Sequence, residues 1–354
     1  MITVSVIIPT YNGADTLGGC LAALAKQEFD FQNMEVIVVV DGSTDGTESF
    51  LTEVSVPFDL TYFSTINQGA GAARNLGAGK AKGDVLIFLD DDITAAPCLV
   101  SEHVRGHAED SDLVALGKLV LESAESPDWY SRCFAEAWNH RFEQLEVSEP
   151  EWTDAYSGNI SISRHNFLAN DGFSVRLKFG EDVEFGHRLV LSGLKIVFLP
   201  SALGTHVEQY RKQALIDRSY EQGKAMLAIA KRSHAVLVEL SRSYHAGRAS
   251  RRLLFELFST LRVSGRLFST ARYLIPTRSF QTRLFRFVQK YSMWRGVRRA
   301  IDDGSDFGWR NFSRGIPILM YHAYSQGGDG SSRFVIDADR FVKQMAWIAD
   351  NGYT

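Results

Sequence analysis

The segment Val85-Leu86-Ile87-Phe88-Leu89-Asp90-Asp91-Asp92 places three consecutive carboxylates directly after five apolar residues. A short apolar run of this kind is typical of a buried β-strand. Adjacent carboxylates at its end repel one another, and removing them from water is costly unless a cation is present. A hard divalent ion such as Mg²⁺ or Mn²⁺ prefers oxygen ligands of this kind. The segment therefore predicts a strand that ends in a metal site, with a solvated acidic turn or helix start as the alternative.

The residues around this segment alternate between strand and helix patterns. Strand patterns cover residues 4–8, 36–40, 60–64 and 85–89, and helical patterns cover residues 14–26, 47–52 and 70–82. This alternation predicts an α/β fold with a mostly parallel sheet flanked by helices. Ligands bind such sheets beyond the carboxyl ends of the strands. We therefore expect the polar residues after three strands to share one crevice: Thr10, Tyr11 and Asn12 after the first, Asp41 after the second, and Asp90 to Asp92 after the last.

Composition and charge place the chain among ordinary globular proteins. It has 354 residues, 45% hydrophobic and 23% charged, which is enough for more than one domain. Its three cysteines, Cys20, Cys98 and Cys133, are too few and too scattered for a disulfide framework or a zinc cluster. The N-terminal apolar run lacks a basic segment and ends at Pro9, so it predicts a strand rather than a signal peptide. We therefore expect a cytoplasmic protein with free thiols.

Two glycine-containing loops follow the other predicted strands. Asp41 opens the first, and its carboxylate could accept hydrogen bonds from a nucleotide base or ribose; capping of the next helix by Asp45 or Thr44 is the alternative. Arg74 lies one turn into the helix after Gly69-Ala70-Gly71, where the positive helix end favours a phosphate. An arginine in such a place is more often a surface charge. The loop is not a dinucleotide fingerprint, because residue 74 is arginine rather than the required glycine.

Acidic residues and a histidine recur further along the chain. Glu181, Asp182 and Glu184 lie at the start of a predicted helix, and one of them is a candidate general base for an acceptor hydroxyl. Stabilisation of the helix N-terminus is the alternative for these acids. His206 follows a short strand and is a candidate contact for the metal or for a leaving phosphate, although a single histidine is usually structural.

Taken together, these segments resemble the family-2 glycosyltransferases of the GT-A fold. The resemblance is carried, in the family's order, by residues 4–12, 39–45, 71–75 and 84–92 and by Gly180-Glu181-Asp182, and it covers roughly residues 2–206. It implies a GT-A (nucleotide-diphospho-sugar transferase) fold followed by a basic helical region. It also implies metal-dependent transfer of a sugar, with a UDP-sugar as the expected donor, to a hydroxyl of a glycan or lipid-linked acceptor in cell-surface polysaccharide synthesis.

The resemblance further implies a role for each matching residue. The nucleotide-sugar site would comprise Thr10, Tyr11, Asp41, Arg74, Asp90 and Asp91, with Asp90 on the ribose side. Asp92 and His206 would bind Mn²⁺ or Mg²⁺, which would offset the charge of the departing diphosphate. Asp182, with Glu181 as its neighbour, would be the catalytic base of one displacement that inverts the sugar. The candidates by position for lining an acceptor cleft are Trp129, Trp138, Tyr156 and Asn159.

We expect three parts along the chain. Residues 1–235 would form the GT-A glycosyltransferase domain, and residues 236–310 a basic amphipathic helical region. Residues 311–354 resemble the start of a polysaccharide deacetylase domain, through residues 316–322, 341–345 and Gly352-Tyr353. The metal-binding motifs of that second family would lie beyond Thr354. This last part is therefore expected to be non-catalytic, as in a truncated two-enzyme protein or a decayed gene.

The basic region suggests a membrane surface as a partner. Between Arg242 and Arg299 there are thirteen arginines and Lys290 but one acid, Glu256. The arginines are interleaved with leucine and phenylalanine, a pattern suited to the anionic inner face of a membrane. A helical hairpin that packs on the catalytic domain, with solvated arginines outside, is an equally supported alternative. No nucleic-acid recognition motif accompanies the charge, so we expect no nucleic-acid partner.

Two other functions compete with glycosyl transfer. A non-catalytic, membrane-associated scaffold that retains the fold would bind nucleotide and metal without transferring a sugar. A dinucleotide-dependent oxidoreductase is disfavoured by the missing glycine and by the acidic triplet Asp90 to Asp92.

Overall fold

A computed structural model describes residues 3–122, 128–177, 179–206, 212–231, 233–245, 253, 255–258, 277–304, 323–325 and 335–337. Backbone contacts divide the chain into two compact units. The first comprises Met1–Leu215 with Arg272–Phe285, and the second comprises Ile216–Ala271 with Arg286–Thr354. Every residue that the sequence assigns to the candidate site belongs to the first unit.

The first unit contains one eight-stranded sheet. Its strands are β1 (Val4–Thr10), β2 (Met34–Asp41), β3 (Asp59–Thr65), β4 (Val85–Leu89), β5 (Ile93–Ala95), β6 (Leu113–Leu121), β7 (Asn159–Ser163) and β8 (Lys195–His206). The strand order in space is β3-β2-β1-β4-β7-β6-β8-β5. Seven helices accompany the sheet: α1 (Leu17–Leu24), α2 (Thr47–Glu53), α3 (Ala70–Lys80), α4 (Leu99–Glu109), α5 (Trp129–Leu145), α6 (Arg164–Ala169) and α7 (Glu181–Leu191).

The sheet is mixed, and its parallel half bears the strand ends that the sequence singled out. Strands β3, β2, β1 and β4 are mutually parallel, and β6 is parallel to β8. Strand β7 runs antiparallel to β4 and β6, and β5 runs antiparallel to β8. The polar residues after β1, β2 and β4 therefore lie at one edge of the sheet. The α/β fold class predicted from the sequence is confirmed.

The sheet is buried on both faces, which explains the continuous apolar runs of its central strands. Every residue of β1 and β2 is buried. Val6 and Ile8 pack into one core with α1, whereas the alternate residue Ile7 packs into a second core on the other face. Helix α3 approaches this second face closely, because a Cβ placed on Gly77 would lie 2.5 Å from Ile7.

Part of the first unit departs from the sequence prediction. No element was predicted between Ile93 and Leu121, yet the chain there forms β5, α4 and β6. The sequence placed His206 after a short strand, but β8 (Lys195–His206) continues to His206. It does so through a register shift against β6, in which Gly117 pairs with Leu199 and Lys118 pairs with Leu203.

Helices α8 (Lys212–Ala230), α9 (His234–His245) and α10 (Arg278–Gly304) follow, with the short strands β9 (Ala323–Ser325) and β10 (Val335–Asp337). Within the second unit, α8 and α10 approach at backbone distance: Gly223 faces the carbonyl oxygen of Met293, and Gly296 faces that of Tyr220. No helix in the described part of the chain combines the length and apolar character needed to cross a bilayer. Most of residues 246–276 and 305–354 lies outside the described residues, so the membrane contact, the deacetylase-like part and the domain boundaries stay predictions.

Candidate functional site

Strands β1 and β4 are neighbours in the sheet, and the last residue of β1 is hydrogen-bonded to a residue that follows β4. The buried hydroxyl of Thr10 donates to Asp91 at 2.5 Å. Tyr11, the next residue, is 55% exposed and lies at the surface of this edge. Thr10 therefore orients the middle carboxylate of the triplet, whereas the ring of Tyr11 is accessible to a ligand.

The loops after β1 and β2 are held together by Asn12. Its backbone has a φ of 55°, in the left-handed region that asparagine tolerates better than most residues. Its amide oxygen accepts from the backbone N–H of Thr44 at 2.8 Å, and its own N–H donates to the hydroxyl of Ser43 at 2.9 Å. These two hydrogen bonds join the loops after β1 and β2 at this edge of the sheet.

Asp41 is buried at the end of β2 and organises the loop that leads into α3. Its two carboxylate oxygens accept from the N–H groups of Gln68 and Gly69, both at 2.8 Å. Asp45, an alternative cap for the next helix, accepts from the N–H of Thr47 at 3.0 Å, but the N-cap position of α2 is occupied by Gly46. In this structure Asp41 shapes the loop, and a role of Asp41 in nucleotide binding stays a prediction.

Arg74 is a buried link between β4 and α7 rather than a surface charge. Its side chain is 5% exposed, and its guanidinium donates to Asp90 at 2.6 Å and to Glu181 at 3.0 Å. Burial alone would lower the pKa of Arg74, but the charges of Asp90 and Glu181 outweigh it and raise the pKa above its ordinary value. Arg74 is therefore engaged by carboxylates at the place where the sequence suggested a phosphate.

The first turn of α7 brings a second group of acids to the same place. Gly180, with a φ of 76°, starts the helix, and Asp182 accepts from the N–H of Val183 at 2.8 Å. Burial and then the charge of Asp182 raise the pKa of Glu181, while Arg74 opposes the shift. Glu181 is thus buried and bound to Arg74, whereas Asp182 is only half-buried. This difference favours Asp182 as the carboxylate that a substrate can reach.

Asp90, Asp92 and His206 form a candidate metal centre. One potential ligand atom from each lies within 4.8 Å of the other two, and Nδ1 of His206 lies 3.4 Å from an Asp92 oxygen. Pairing of β5 with β8 places His206 opposite Ile93, directly after the triplet. Two carboxylates and an imidazole suit Mn²⁺ or Mg²⁺, with the nitrogen favouring the former. The sequence grouped Asp92 with His206, and the structure adds Asp90, which had been expected on the ribose side.

The residues suggested for an acceptor cleft divide into two groups. Trp138 and Tyr156 are half-buried and pack against each other, with ring centroids 4.7 Å apart. Trp129 and Asn159 are 1% and 0% exposed, so neither is accessible to an acceptor. The sequence also missed the buried residues His103, His107 and Ser161. In the sequence, His103 and His107 are distinguished only by lying four residues apart, and this spacing is informative only once the helix that contains them is known.

The comparisons agree with this architecture. Residues 5–168, a little under half of the chain, match the model of the family described as Glycosyl transferase family 2. The hyaluronan synthase of Pasteurella multocida is 28% identical over 262 residues, which is 63% of this chain but 26% of that protein. The chain thus spans about a quarter of that relative's length.

Two solved structures share the fold at low sequence identity. The mannosyltransferase PcManGT from Pyrobaculum calidifontis, in complex with GDP-Man and Mn²⁺, has a TM-score of 0.62 at 18% identity, covering 85% of this chain and 88% of that chain. S. aureus TarS 1–349, in complex with UDP-GlcNAc, has a TM-score of 0.52 at 19% identity, covering 85% of this chain and 91% of that chain. Residues 5–168 are therefore similar to the family described as Glycosyl transferase family 2, and they lie within a unit that has the GT-A fold.

Proposed function

We propose that this protein transfers a sugar from a nucleoside diphosphate to a hydroxyl of a growing glycan or lipid-linked acceptor. The observation that carries the proposal is that two groups of residues meet at one edge of the sheet. One is the candidate metal centre of Asp90, Asp92 and His206, and the other is the ion-pair group of Arg74, Asp90 and Glu181. Asp90 belongs to both, because its carboxylate contacts Arg74 and lies within reach of Asp92 and His206. Through Arg74, the candidate metal centre is connected to the helix that bears Asp182.

The donor class is supported by chemistry and by the solved relatives. A nucleoside diphosphate is an anion that suits a divalent ion at the carboxyl ends of parallel strands. Asp90, Asp92 and His206 would hold Mn²⁺ or Mg²⁺, and the bound ion would supply positive charge for the departing diphosphate. UDP-GlcNAc in TarS and GDP-Man in PcManGT are donors of this class, and we expect a UDP-sugar here.

In the proposed reaction, Asp182 accepts the proton of the acceptor hydroxyl as its oxygen attacks C1 of the sugar. The bond between C1 and the diphosphate oxygen breaks, its electron pair leaves with the diphosphate, and the configuration at C1 inverts. The transition state is expected to resemble an oxocarbenium ion, as in glycoside hydrolysis. Glu181 does not compete for the proton, because it is buried and hydrogen-bonded to Arg74. It positions the turn that carries Asp182.

Asp182→Asn tests the base, because the amide keeps the size of the side chain but cannot accept the proton. The variant should bind UDP with Mn²⁺ as the parent does, in a calorimetric titration, but release UDP from a UDP-sugar at least about 100-fold more slowly. Asp171→Asn is the matched control, since Asp171 is exposed and at a φ of 57°, which asparagine also adopts. Undiminished turnover in Asp182→Asn would refute the base assignment, and full nucleotide binding by the parent without turnover on any donor would favour the scaffold.

A further inference from the structure

Four buried polar side chains connect α4 with β7. His103 and His107 lie one turn apart on α4, and Asn159 and Ser161 lie on the same face of β7. The two ring nitrogens of His103 lie 2.8 Å from the Ser161 hydroxyl and 2.9 Å from the Asn159 amide oxygen. His107 contacts the same hydroxyl through Nε2, at 2.9 Å. All four residues are buried, so these contacts replace water.

The hydrogen bonds of Asn159 determine which atoms of this cluster carry hydrogens. The amide nitrogen of Asn159 lies 3.2 Å from the carbonyl oxygen of Lys118 and 2.8 Å from that of Ala202, so it must donate both of its hydrogens there. Its oxygen is therefore an acceptor, and Nε2 of His103 carries the proton that it accepts. Nδ1 of a neutral His103 is then an acceptor, so Ser161 donates to His103 and accepts from His107.

Both histidines are neutral in this arrangement. Burial lowers the pKa of His103 to about 4 and that of His107 to about 4 as well. A doubly protonated His103 could not accept the hydrogen of Ser161. The hydrogen bonds of the cluster therefore all run in one direction: His107 donates to Ser161, Ser161 donates to His103, and His103 donates to Asn159.

The side chain of Asn159, on β7, contacts the irregular part of β8. Between the pair Gly117–Leu199 and the pair Lys118–Leu203, three residues of β8 have no partner on β6. The Asn159 amide spans this gap by binding the carbonyl of Lys118 on one strand and that of Ala202 on the other. The space exists because residue 117 is glycine, whose added Cβ would collide with the amide.

Asn159 is linked to the chain segments that carry Asp90 and His206 of the candidate metal centre. Its backbone pairs with Leu89, and the carbonyl of the preceding Gly158 accepts from the N–H of Asp90 at 3.2 Å. Its side chain fixes the start of the β8 segment Leu203–His206, which then runs beside β5 to His206. Asn159 thus contacts both of the chain segments that lead to Asp90 and to His206.

We infer that His103 is a positioning residue for this centre: by orienting the Asn159 amide, it sets the register of β8 that brings His206 to Asp90 and Asp92. The inference rests on the proposed function only for the identity of the bound ion. His103 itself contacts no ligand and is no catalytic residue. A loss of its hydrogen bond should therefore alter the end of β8 specifically rather than weaken the fold uniformly.

The test compares His103→Phe with His107→Phe in the full-length protein. Both variants replace a buried histidine of α4 by a ring of similar size and remove a hydrogen bond to Ser161, but only the first removes the contact to Asn159. In the metal-free protein, hydrogen exchange of the amides at residues 203–206 should become at least about tenfold faster in His103→Phe. In His107→Phe it should stay within about twofold of the parent.

Binding of Mn²⁺ alone, followed by the electron paramagnetic resonance signal of the free ion, supplies a second readout. His103→Phe should weaken it by about tenfold or more, as loss of a residue that orients a ligand does, and His103→Gln, which keeps a donor for Asn159, should recover most of it. Should His103→Phe not fold, Asn159→Asp should give the same two effects, because its carboxylate faces two carbonyl oxygens. Equal effects of the two phenylalanine variants on exchange would overturn the inference. A parent that binds no Mn²⁺ would instead refute the metal part of the proposed function and leave the exchange result to decide the positioning role.

Discussion

Removal of Arg74 is the sharpest test of the charge arrangement in the cleft. In Arg74→Met, Glu181 and Asp90 lose their shared counterion, while the apolar stem of the side chain is retained. Arg74 and Glu181 are 5% and 11% exposed, and removing one partner of a buried ion pair costs about 3–5 kcal/mol. Asp90 is 33% exposed, so solvent screens its part of the loss. We therefore expect the free energy of unfolding to fall by about 3 kcal/mol at pH 8.

The cost should depend on pH because Glu181 titrates. Burial and the charge of Asp182 already raise the pKa of Glu181 above 4.5, and Arg74 limits that rise. Between its unfolded and folded pKa values the native state binds more protons than the unfolded state, so stability increases as pH falls through this window. Without Arg74 the window extends to higher pH. The destabilisation of Arg74→Met should therefore be smaller at pH 5 than at pH 8.

Urea unfolding at these two pH values measures the effect. Lys118→Met is the control, since Lys118 pairs with Glu146 at 2.6 Å in a more exposed setting and should cost no more than about 1 kcal/mol. In the Arg74→Met background, Glu181→Gln should restore about 1–2 kcal/mol at pH 8, because it removes the uncompensated buried charge. A loss below about 1 kcal/mol for Arg74→Met, equal at both pH values, would refute this reasoning.

Three further predictions concern packing, histidine protonation and the metal. Gly77→Ala should destabilise the protein by about 1–3 kcal/mol, because its methyl group would lie 2.5 Å from Ile7. Gly79→Ala in the same helix, where the methyl group would have no neighbour within 4 Å, should stabilise it by about 0.5–1 kcal/mol. Thermal unfolding of both variants measures these effects, and equal shifts in the midpoint would contradict the packing argument. Burial lowers the pKa of His103 and of His107 to about 4 in the folded protein, against 6.5 in the unfolded chain. Between these pH values the unfolded state binds more protons than the folded state. The free energy of unfolding should therefore fall as the pH drops from 6.5 to 4, by up to about 3 kcal/mol for each histidine. The double variant His103→Gln with His107→Gln should flatten that dependence in urea unfolding, and an unchanged slope would show that other groups cause it. Asp92→Asn should weaken Mn²⁺ binding by about tenfold or more in a calorimetric titration, and unaltered binding would place the ion elsewhere.

The parts of the fold that follow local rules could be predicted from the sequence. Strands β1, β2 and β4 are short apolar runs that end in polar residues, and this pattern identified both the strands and the edge where the site lies. The acidic triplet after β4 predicted a metal site, and the structure places ligand atoms of Asp90 and Asp92 within 4.8 Å of each other.

Long-range pairing explains what was missed. Helix α4 is polar along much of its length, and β6, whose residues are apolar or glycine except for Lys118, fits a buried strand or a buried helix equally well. Arg74 and Glu181 are 107 positions apart, and they meet only because the chain returns to the same edge of the sheet after β7. No local pattern distinguishes an arginine that will bind a phosphate from one that will lie between two carboxylates.

The glycine at position 117 has an evolutionary consequence. Because the amide of Asn159 fills the volume that any larger residue at 117 would need, the two positions cannot change independently. A side chain gained at 117 is compatible with this bulge only after residue 159 has become smaller, and that earlier change leaves the carbonyls of Lys118 and Ala202 without their shared donor. In homologues with the same bulge, glycine at one position and asparagine at the other should therefore be inherited together.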